Sequence, residues 1–160
     1  MIVEYNSKYD DDIKSLLIEL QKHIVAIDKE GYNILTKEYG DIYLKKTLEE
    51  VNNYEGKIFL YKDSDVIQGL IVGLINNEEE ENYDFCAPKR GRITELVVNA
   101  NVRSNGIGAK LIDAMEKYLR SVGCKDILIG VFGYNDLAID FYKRNGYHVR
   151  MIEMTKKIDI

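Results

Sequence analysis

The sequence contains little of what several classes of protein depend on. Its 160 residues include no tryptophan, one proline, two cysteines and two histidines. Cys86, Cys124, His23 and His148 share no disulfide or ligand spacing, so we expect neither a disulfide framework nor a bound metal. No apolar run approaches the ~18 residues of a membrane-spanning helix, and the first residues lack the charged and apolar regions of a signal peptide. We therefore expect a cytoplasmic protein with reduced thiols and no membrane partner.

Positive charge is also in the minority. The chain has 22 lysines and arginines against 27 aspartates and glutamates, a formal net charge of −5. Because affinity for nucleic acid comes mostly from cationic side chains against phosphates, this balance argues against a nucleic-acid partner. It is compatible with a cationic substrate but does not identify one. We interpret the acidic run Glu78–Glu81 as a solvated loop.

The chain shows no linker and no internal repeat. Its single proline is Pro88, and no glycine–serine tract divides the sequence. A chain of this length buries roughly 70% of its unfolded surface on folding, which is enough for one core. We therefore predict a single domain over residues 1–160.

Hydrophobic periodicity predicts alternating strands and helices. Helical spacing runs from the acidic residues Asp10–Asp12 through Ile27, and the other predicted helices are Asp41–Val51, Gly106–Val122 and Asp136–Asn145. The predicted strands are Ile2–Tyr5, Lys57–Lys62, Val66–Ile75, Arg92–Val98, Asp126–Phe132 and Tyr147–Lys157. The order is βααβββαβαβ, which predicts an α/β fold with a mixed, mostly antiparallel central sheet and helices on both faces. The fifth strand is almost wholly apolar, which is typical of a strand covered on both faces.

A glycine-containing turn follows the fourth strand. After Val98, a polar stretch leads to Gly106-Ile107-Gly108 at the start of a helix, with Arg103 just before it. Unpaired N–H groups, the positive end of the helix dipole and an arginine together favour a phosphate or pyrophosphate ligand. The spacing matches neither a mononucleotide P-loop nor the three-glycine dinucleotide fingerprint, in which Leu111 would have to be glycine.

A second motif lies on the last predicted helix. Asn135, Ala138, Ile139 and Tyr142 are spaced i, i+3, i+4 and i+7, so they share one helix face. The segment Asn135–Tyr147 resembles the N-x-x-A-x-x-F/L-Y-x-x-x-G-F/Y motif of the GNAT superfamily of N-acetyltransferases. The segment Arg103–Gly108 resembles the R/Q-x-x-G-x-G/A signature of the same superfamily, and together with the element order the likeness covers essentially the whole chain.

The resemblance implies a coenzyme A site and assigns residues to it. Backbone groups of Leu96, Val97 and Val98 would pair with the pantetheine like an added strand and polarise the thioester carbonyl. The turn residues Arg103, Ser104, Asn105, Gly106, Ile107, Gly108 and Ala109 would hold the pyrophosphate. Asn135 would contact the coenzyme near the pantetheine, and Ala138 would leave room for it. Tyr142 would lie near the thioester sulfur and protonate the leaving thiolate, since a phenol can pass a proton to a developing thiolate; the alternative is a tyrosine packed in the core.

Glu95 places a carboxylate inside an apolar strand. Strict alternation would put it on the same face as Ile93 and Val97. Such a group must be paired, solvated or functional. The attacking amine must lose a proton, and a carboxylate whose pKa is raised by apolar neighbours can accept it, directly or through a water. Glu95 is therefore a candidate base or substrate contact, with an ion pair to Arg92 or Lys89 as the alternative.

These observations predict an acetyl-CoA-dependent N-acetyltransferase that uses no metal and acetylates a primary amine directly. A small-molecule acceptor is favoured over a protein, and Tyr32, Tyr39 and Tyr43 are candidates for the wall of its pocket. The resemblance also allows a homodimer. Two other classes stay open: a non-catalytic acyl-CoA-binding sensor or partner module, and a nucleotide-binding α/β domain that would bind ATP or NAD.

Overall fold

The computed structural model describes residues 1–76 and 87–158. These residues divide into two units, Met1–Gly130 and Val131–Ile160. Cys86 and the predicted solvated loop Glu78–Glu81 lie outside the described residues.

The strands of the first unit form one five-stranded sheet. In chain order they are β1 (Ile2–Glu4), β2 (Lys57–Asp63), β3 (Val66–Asn76), β4 (Arg90–Val98) and β5 (Asp126–Ile129). The spatial order is the same as the chain order; β1 to β4 pair antiparallel and β5 pairs parallel to β4. The predicted mixed, mostly antiparallel sheet is confirmed.

Three helices of the first unit cover the two faces of this sheet. They are α1 (Asp10–Ile27), α2 (Tyr39–Asn53) and α3 (Ile107–Ser121). The apolar stripes of α1 and α2 pack on one face, in a core formed by Ile13, Leu16, Leu17, Leu44, Ile58, Leu60, Ile67, Leu70, Val72, Leu74 and Val97. On the other face α3 approaches so closely that a Cβ built on Gly73 would clash with Met115 Sδ, and one on Gly91 would lie 2.5 Å from Leu119 Cδ1. Helices on both faces are therefore confirmed.

A β-bulge at Thr94 changes the face of the sheet on which the following residues of β4 lie. Val72 pairs with Glu95, but the next residue of β3, Gly73, pairs with Ile93, so Thr94 has no partner across the ladder. Directly opposed residues share a face of the sheet. Ile93 and Gly73 therefore face α3, whereas Glu95 faces α1 and α2 together with Val97. The expectation that Ile93 and Glu95 share a face is wrong, because the bulge breaks the alternation between them.

The second unit contains one helix, α4 (Asp136–Arg144), among its described residues. Gly146 follows it with φ +88°, the left-handed conformation expected at the end of a helix. The predicted last strand, Tyr147–Lys157, is wrong: residues 147–158 carry no helix or strand. The alternating apolar side chains there stay exposed, Met154 at 90%, because the described part of this unit contains no other strand to form a ladder.

The fifth strand also differs from its prediction. β5 ends at Ile129 instead of Phe132, and it lies at the edge of the sheet. Its residues Ile127 to Ile129 are half-buried and not fully covered. An apolar run alone does not distinguish an edge strand from a central one.

Candidate active site

The connection from β4 to α3 is tied to α1 by one carboxylate. Arg103 donates from Nε to the Val98 carbonyl and from Nη2 to Glu19 Oε1, both at 3.0 Å. The same Glu19 oxygen accepts the Ala100 N–H at 2.9 Å. A side chain of α1 thus fixes both the start of the connection and its arginine, three residues before the helix N-cap.

The first turn of α3 presents backbone donors to open space. Gly106 is the N-cap in a left-handed conformation, φ +73°, and no side chain of the described residues caps the helix. The first N–H groups of the helix therefore have no intrahelical partner, and the positive end of the helix dipole lies there. A Cβ built on Gly106 would meet no atom within 4 Å. With Arg103 beside it, this turn is suited to an anion of phosphate chemistry.

The end of β4 has one free edge among the described residues. Pairing with β5 stops at Ile93 and Ile129, whereas pairing with β3 continues to Val98. The segment Thr94–Val98 therefore has no ladder partner on the β5 side. Alternate N–H and C=O groups along this segment point outward. The Val98 carbonyl is already the acceptor for Arg103. This edge runs directly into the connection that leads to the α3 turn.

The predicted coenzyme residues of the first unit thus lie on one continuous stretch. The side chains of Val97 and Ile107 are buried, so only their backbone is available to a ligand. Leu96, Val98 and Gly108 are half-buried, and the residues exposed at the turn are Arg103, Ser104, Asn105, Gly106 and Ala109. The turn residues carry an arginine and no acidic side chain, and with the open space at Gly106 they fit the pyrophosphate of coenzyme A. The free edge of β4 fits its extended pantetheine.

Glu95 is a buried carboxylate held by two hydroxyl groups. It is 4% exposed. Tyr43 Oη donates to Oε1 at 2.7 Å, and the Thr94 hydroxyl bonds Oε2. Burial raises the pKa of Glu95, while the hydrogen bonds from Thr94 and Tyr43 act in the opposite direction. Hydroxyls, and not Arg92 or Lys89, are its partners in the described part of the chain, so the predicted ion pair is not found.

Two of the three tyrosines named as acceptor candidates surround this carboxylate. The rings of Tyr39 and Tyr43 stack with centroids 5.0 Å apart and an interplanar angle of 17°. Burial raises the pKa of Tyr43 well above its usual value, and the nearby Glu95 charge adds to the shift. Its proton therefore stays on the phenol, which fixes Tyr43 as donor and Glu95 as acceptor. Tyr32, by contrast, is 70% exposed.

Gln21 and Glu19 are site residues that the sequence interpretation missed. Gln21 is 8% exposed and accepts a hydrogen bond from Tyr39 Oη at 3.1 Å while donating to the Ile34 carbonyl at 2.7 Å. Its position four residues after Leu17, on the apolar stripe of α1, was an available signal, because a polar group there must find a partner. Glu19 carries no such signal, since its partners lie more than 80 residues away.

The predicted site residues of the second unit, Asn135, Ala138 and Tyr142, are all half-buried at the start of or on α4. Asn135 is the N-cap, and its Oδ1 accepts the Ala138 N–H at 3.2 Å. The Tyr142 ring makes edge-on contacts with Phe141 and Tyr147, at centroid distances of 5.2 and 5.8 Å. Burial raises the pKa of Tyr142 to about 12. The phenol is therefore protonated throughout the neutral range.

Comparison with known proteins identifies the class of protein. The family model described as Acetyltransferase (GNAT) family matches residues 28–147, which include both glycine-containing motifs. Among solved structures, a point variant of the BH1408 protein from Bacillus halodurans superposes with TM-score 0.81 at 18% identity, covering 99% of both chains. An aminoglycoside 6'-N-acetyltransferase from Acinetobacter haemolyticus gives 0.72 at 14% identity, also over 99% of both chains. Glucosamine-6-phosphate N-acetyltransferase from Arabidopsis thaliana gives 0.66 at 18% identity, over 99% of this chain and 98% of the other.

The chain belongs to the GNAT acetyltransferase family. It has the acyl-CoA N-acyltransferase fold, it is an acetyltransferase, and its acetyl donor is acetyl-CoA. No helix in residues 1–76 and 87–158 is long and apolar enough to cross a membrane. The same residues contain no cluster of three or more side chains suited to hold a metal ion.

Proposed function

We propose that the chain, acting as one domain over residues 1–160, transfers the acetyl group directly to a primary amine of a small molecule. The observation that carries the proposal is the buried carboxylate of Glu95, three residues before the end of β4. Among the described residues, the outer edge of β4 is free from Thr94 onward and leads to the α3 turn. A donor bound along that edge places its activated acetyl thioester on the strand that holds the base.

The donor-binding role falls to three groups of residues. The outer edge at Leu96–Val98 supplies main-chain hydrogen bonds, as an added strand would require. Arg103–Ala109 supplies the arginine, the N–H groups of the helix start and the space left by Gly106. Asn135 and Ala138 are proposed as further coenzyme contacts, an assignment supported by the motif that they share with the family.

Glu95 is proposed as the base. A lysine-type ammonium has a pKa near ~10.4 and cannot attack until it loses a proton. Because burial raises the pKa of Glu95, this carboxylate is a stronger proton acceptor than an exposed glutamate. The neutral amine then attacks the acetyl carbonyl, and outward N–H groups of β4 stabilise the oxygen on which negative charge develops.

Tyr142 is proposed as the acid. Its pKa of about 12 keeps the phenol protonated at neutral pH, so a proton is available for the departing thiolate. Its ring makes edge-on contacts with Phe141 and Tyr147, which hold the ring in place. The support for this role is its position in the family motif together with that protonation state.

The acceptor class is proposed from the named enzymes among the similar structures. Two of these are N-acetyltransferases of glucosamine-6-phosphate and of aminoglycosides, acceptors that contain amino sugars. The acidic balance of the chain is compatible with the cationic aminoglycosides. A small amine is therefore the first class to test, ahead of protein amino groups.

The test is a panel of amines assayed with acetyl-CoA. Aminoglycosides, hexosamine phosphates, polyamines, amino acids and a lysine peptide would be compared by thiol release and by mass spectrometry of the acetylated product. We expect turnover on a small amine, and loss of it in Glu95→Gln and Tyr142→Phe with acetyl-CoA binding retained. Acetyl-CoA binding without turnover on any amine would instead favour a non-catalytic binding module, and turnover on the peptide alone would favour a protein acceptor.

A further inference from the structure

A line of side chains leads from the connection between α1 and α2 to Glu95. It starts at the Ile34 carbonyl, which accepts the Gln21 amide at 2.7 Å. Gln21 in turn accepts the Tyr39 hydroxyl at 3.1 Å, and the Tyr39 ring stacks on Tyr43. The Tyr43 hydroxyl ends the line on Glu95 Oε1 at 2.7 Å. Three side chains from α1 and α2 thus lead to one carboxylate oxygen of Glu95 on β4.

Both ends of this line are fixed. Asp28 orders the connection after α1, because its carboxylate accepts the N–H groups of Glu30, Tyr32 and Asn33 at 2.7–2.9 Å. At the other end the bulge at Thr94 points Glu95 towards α2. A phenol held by stacking and by its neighbour's hydrogen bond has little freedom to swing away, so the Tyr43 hydroxyl is preorganised for the carboxylate.

We propose that Tyr43 is a positioning residue for Glu95: its hydroxyl holds Oε1 in place and keeps the carboxylate in the ionised form that accepts the proton of the acceptor amine. The inference rests on the proposed function, in which Glu95 is the base. Tyr43 itself keeps its proton and acts on the reaction only through Glu95.

The effect of the Tyr43 hydroxyl on Glu95 can be separated from the effect of the charged groups that face this carboxylate. From α2, Glu50 opposes ionisation of Glu95 and Lys46 favours it, and these two form an ion pair with each other at 3.6 Å. Tyr39 and Tyr43 face it from the same helix, and on β3 the paired residue is the apolar Val72. A change of Tyr43 to phenylalanine removes a donor to the carboxylate and changes none of these charges.

Tyr43→Phe and Tyr39→Phe form a matched pair of variants. Each removes one hydroxyl from the same stacked pair, but only the Tyr43 hydroxyl bonds Glu95. The first measurement follows the Glu95 carboxyl carbon by NMR in protein labelled at glutamate, with Glu95→Gln assigning the signal. We expect Tyr43→Phe to raise the pKa of Glu95, since loss of a donor to the charged form disfavours ionisation. We expect Tyr39→Phe, which keeps the stacked ring and the Tyr43 hydroxyl, to shift that titration much less.

The second measurement is the pH profile of kcat/KM. In Tyr43→Phe the acidic limb should move to higher pH by about one pH unit, so that activity at a pH on that limb falls about tenfold and recovers as the pH is raised. In the Glu95→Gln background, Tyr43→Phe should cause no further loss, because it acts only through Glu95. Thermal unfolding of each variant reports whether it is folded.

The outcomes separate this inference from the proposed function. If Glu95→Gln is impaired but Tyr43→Phe leaves the Glu95 titration unchanged, the role of Tyr43 is wrong and the base assignment stands. If Glu95→Gln is as active as the wild type at every pH, the base assignment is wrong and the role of Tyr43 falls with it. A Tyr43→Phe loss that is equal at all pH values would reduce Tyr43 to a structural residue and overturn the inference.

Discussion

Gly106 combines a backbone requirement with a binding requirement. Its φ of +73° is one that side chains with a Cβ rarely adopt, and the space above it is open. We expect Gly106→Ala to lower the free energy of unfolding by about 1 kcal/mol through backbone strain. We also expect it to weaken acetyl-CoA binding, because the new methyl group occupies the approach to the helix N–H groups. Urea unfolding and calorimetric titration with acetyl-CoA measure the two effects.

Gly123 provides the control at the other end of the same helix. It has φ +89° and equally open space. Gly123→Ala should cost a similar ~1 kcal/mol of stability and leave acetyl-CoA affinity unchanged. Equal losses of affinity in both variants would mean that Gly106 matters only for folding.

Glu95 gives the stability of the protein a dependence on pH. Its pKa is raised in the folded state by burial, from an ordinary value of 4.5. The stabilisation from proton binding is therefore fully present below about pH 4.5 and is lost as the pH rises through the folded pKa. Glu95→Gln removes this titration, so its stability relative to the wild type should increase over that window. Urea unfolding from pH 4 upward tests this, and a constant difference between the two proteins would contradict it.

Tyr142 should affect the chemical step and not donor binding. With a pKa of about 12 it is protonated wherever the enzyme is folded and active near neutrality. We expect Tyr142→Phe to lower kcat by about 100-fold, within the range of general acid catalysis, with little change in acetyl-CoA affinity. An unchanged kcat would show that the thiolate leaves without a proton from Tyr142.

At the scale of elements, α1 stabilises the connection between β4 and α3 through Glu19. Glu19→Ala removes the acceptor of both the Ala100 N–H and Arg103. The variant therefore loses the hydrogen bond of a backbone donor and an ion pair. We expect these two losses to lower the free energy of unfolding by about 1 kcal/mol. Glu49→Ala, which breaks only an exposed helix pair at 3.9 Å, should cost at most about 0.5 kcal/mol. Equal losses in the two variants would show that the tie to Ala100 contributes nothing.

Helices and central strands are predictable here because their signals are local. The apolar stripe after Asp10–Asp12 and the alternation within Lys57–Ile75 depend on residues a few positions apart, and the observed bounds follow them closely. The bulge at Thr94 is different, because it exists only in the pairing between β3 and β4. It decides which face Glu95 occupies, so a simple alternation rule placed Glu95 beside Ile93.

Strand formation at the end of the chain shows the same limit. Tyr147–Lys157 has the composition of a strand, yet composition supplies no partner for a ladder, and residues 147–158 form none. By contrast, the residues after Asn135 form the predicted short helix, because the N-cap and the left-handed Gly146 are local signals.

At the scale of the whole molecule, the motifs predict the donor side better than the acceptor side. The turn Arg103–Ala109 is contiguous in sequence, so the family resemblance identifies it directly. The line from Gln21 through Tyr39 and Tyr43 to Glu95 joins residues 18 and 52 positions apart, and only the folded chain brings them together. The sequence therefore predicted the fold and the donor class, but it did not predict the surroundings of the proposed base.

The most direct test of the central claim is a thermal-shift titration with acetyl-CoA, with ATP and NAD measured beside it. At ~100 times its dissociation constant, a ligand that binds only the folded state adds roughly 2.7 kcal/mol, which for a domain of this size is very roughly 5–10 °C in Tm. We expect acetyl-CoA to give this shift in the wild type and a smaller one in Gly106→Ala, with no shift from ATP or NAD. The absence of any shift with acetyl-CoA, or an equal shift with ATP or NAD, would contradict the assignment of the β4 edge and the α3 turn as an acetyl-CoA site.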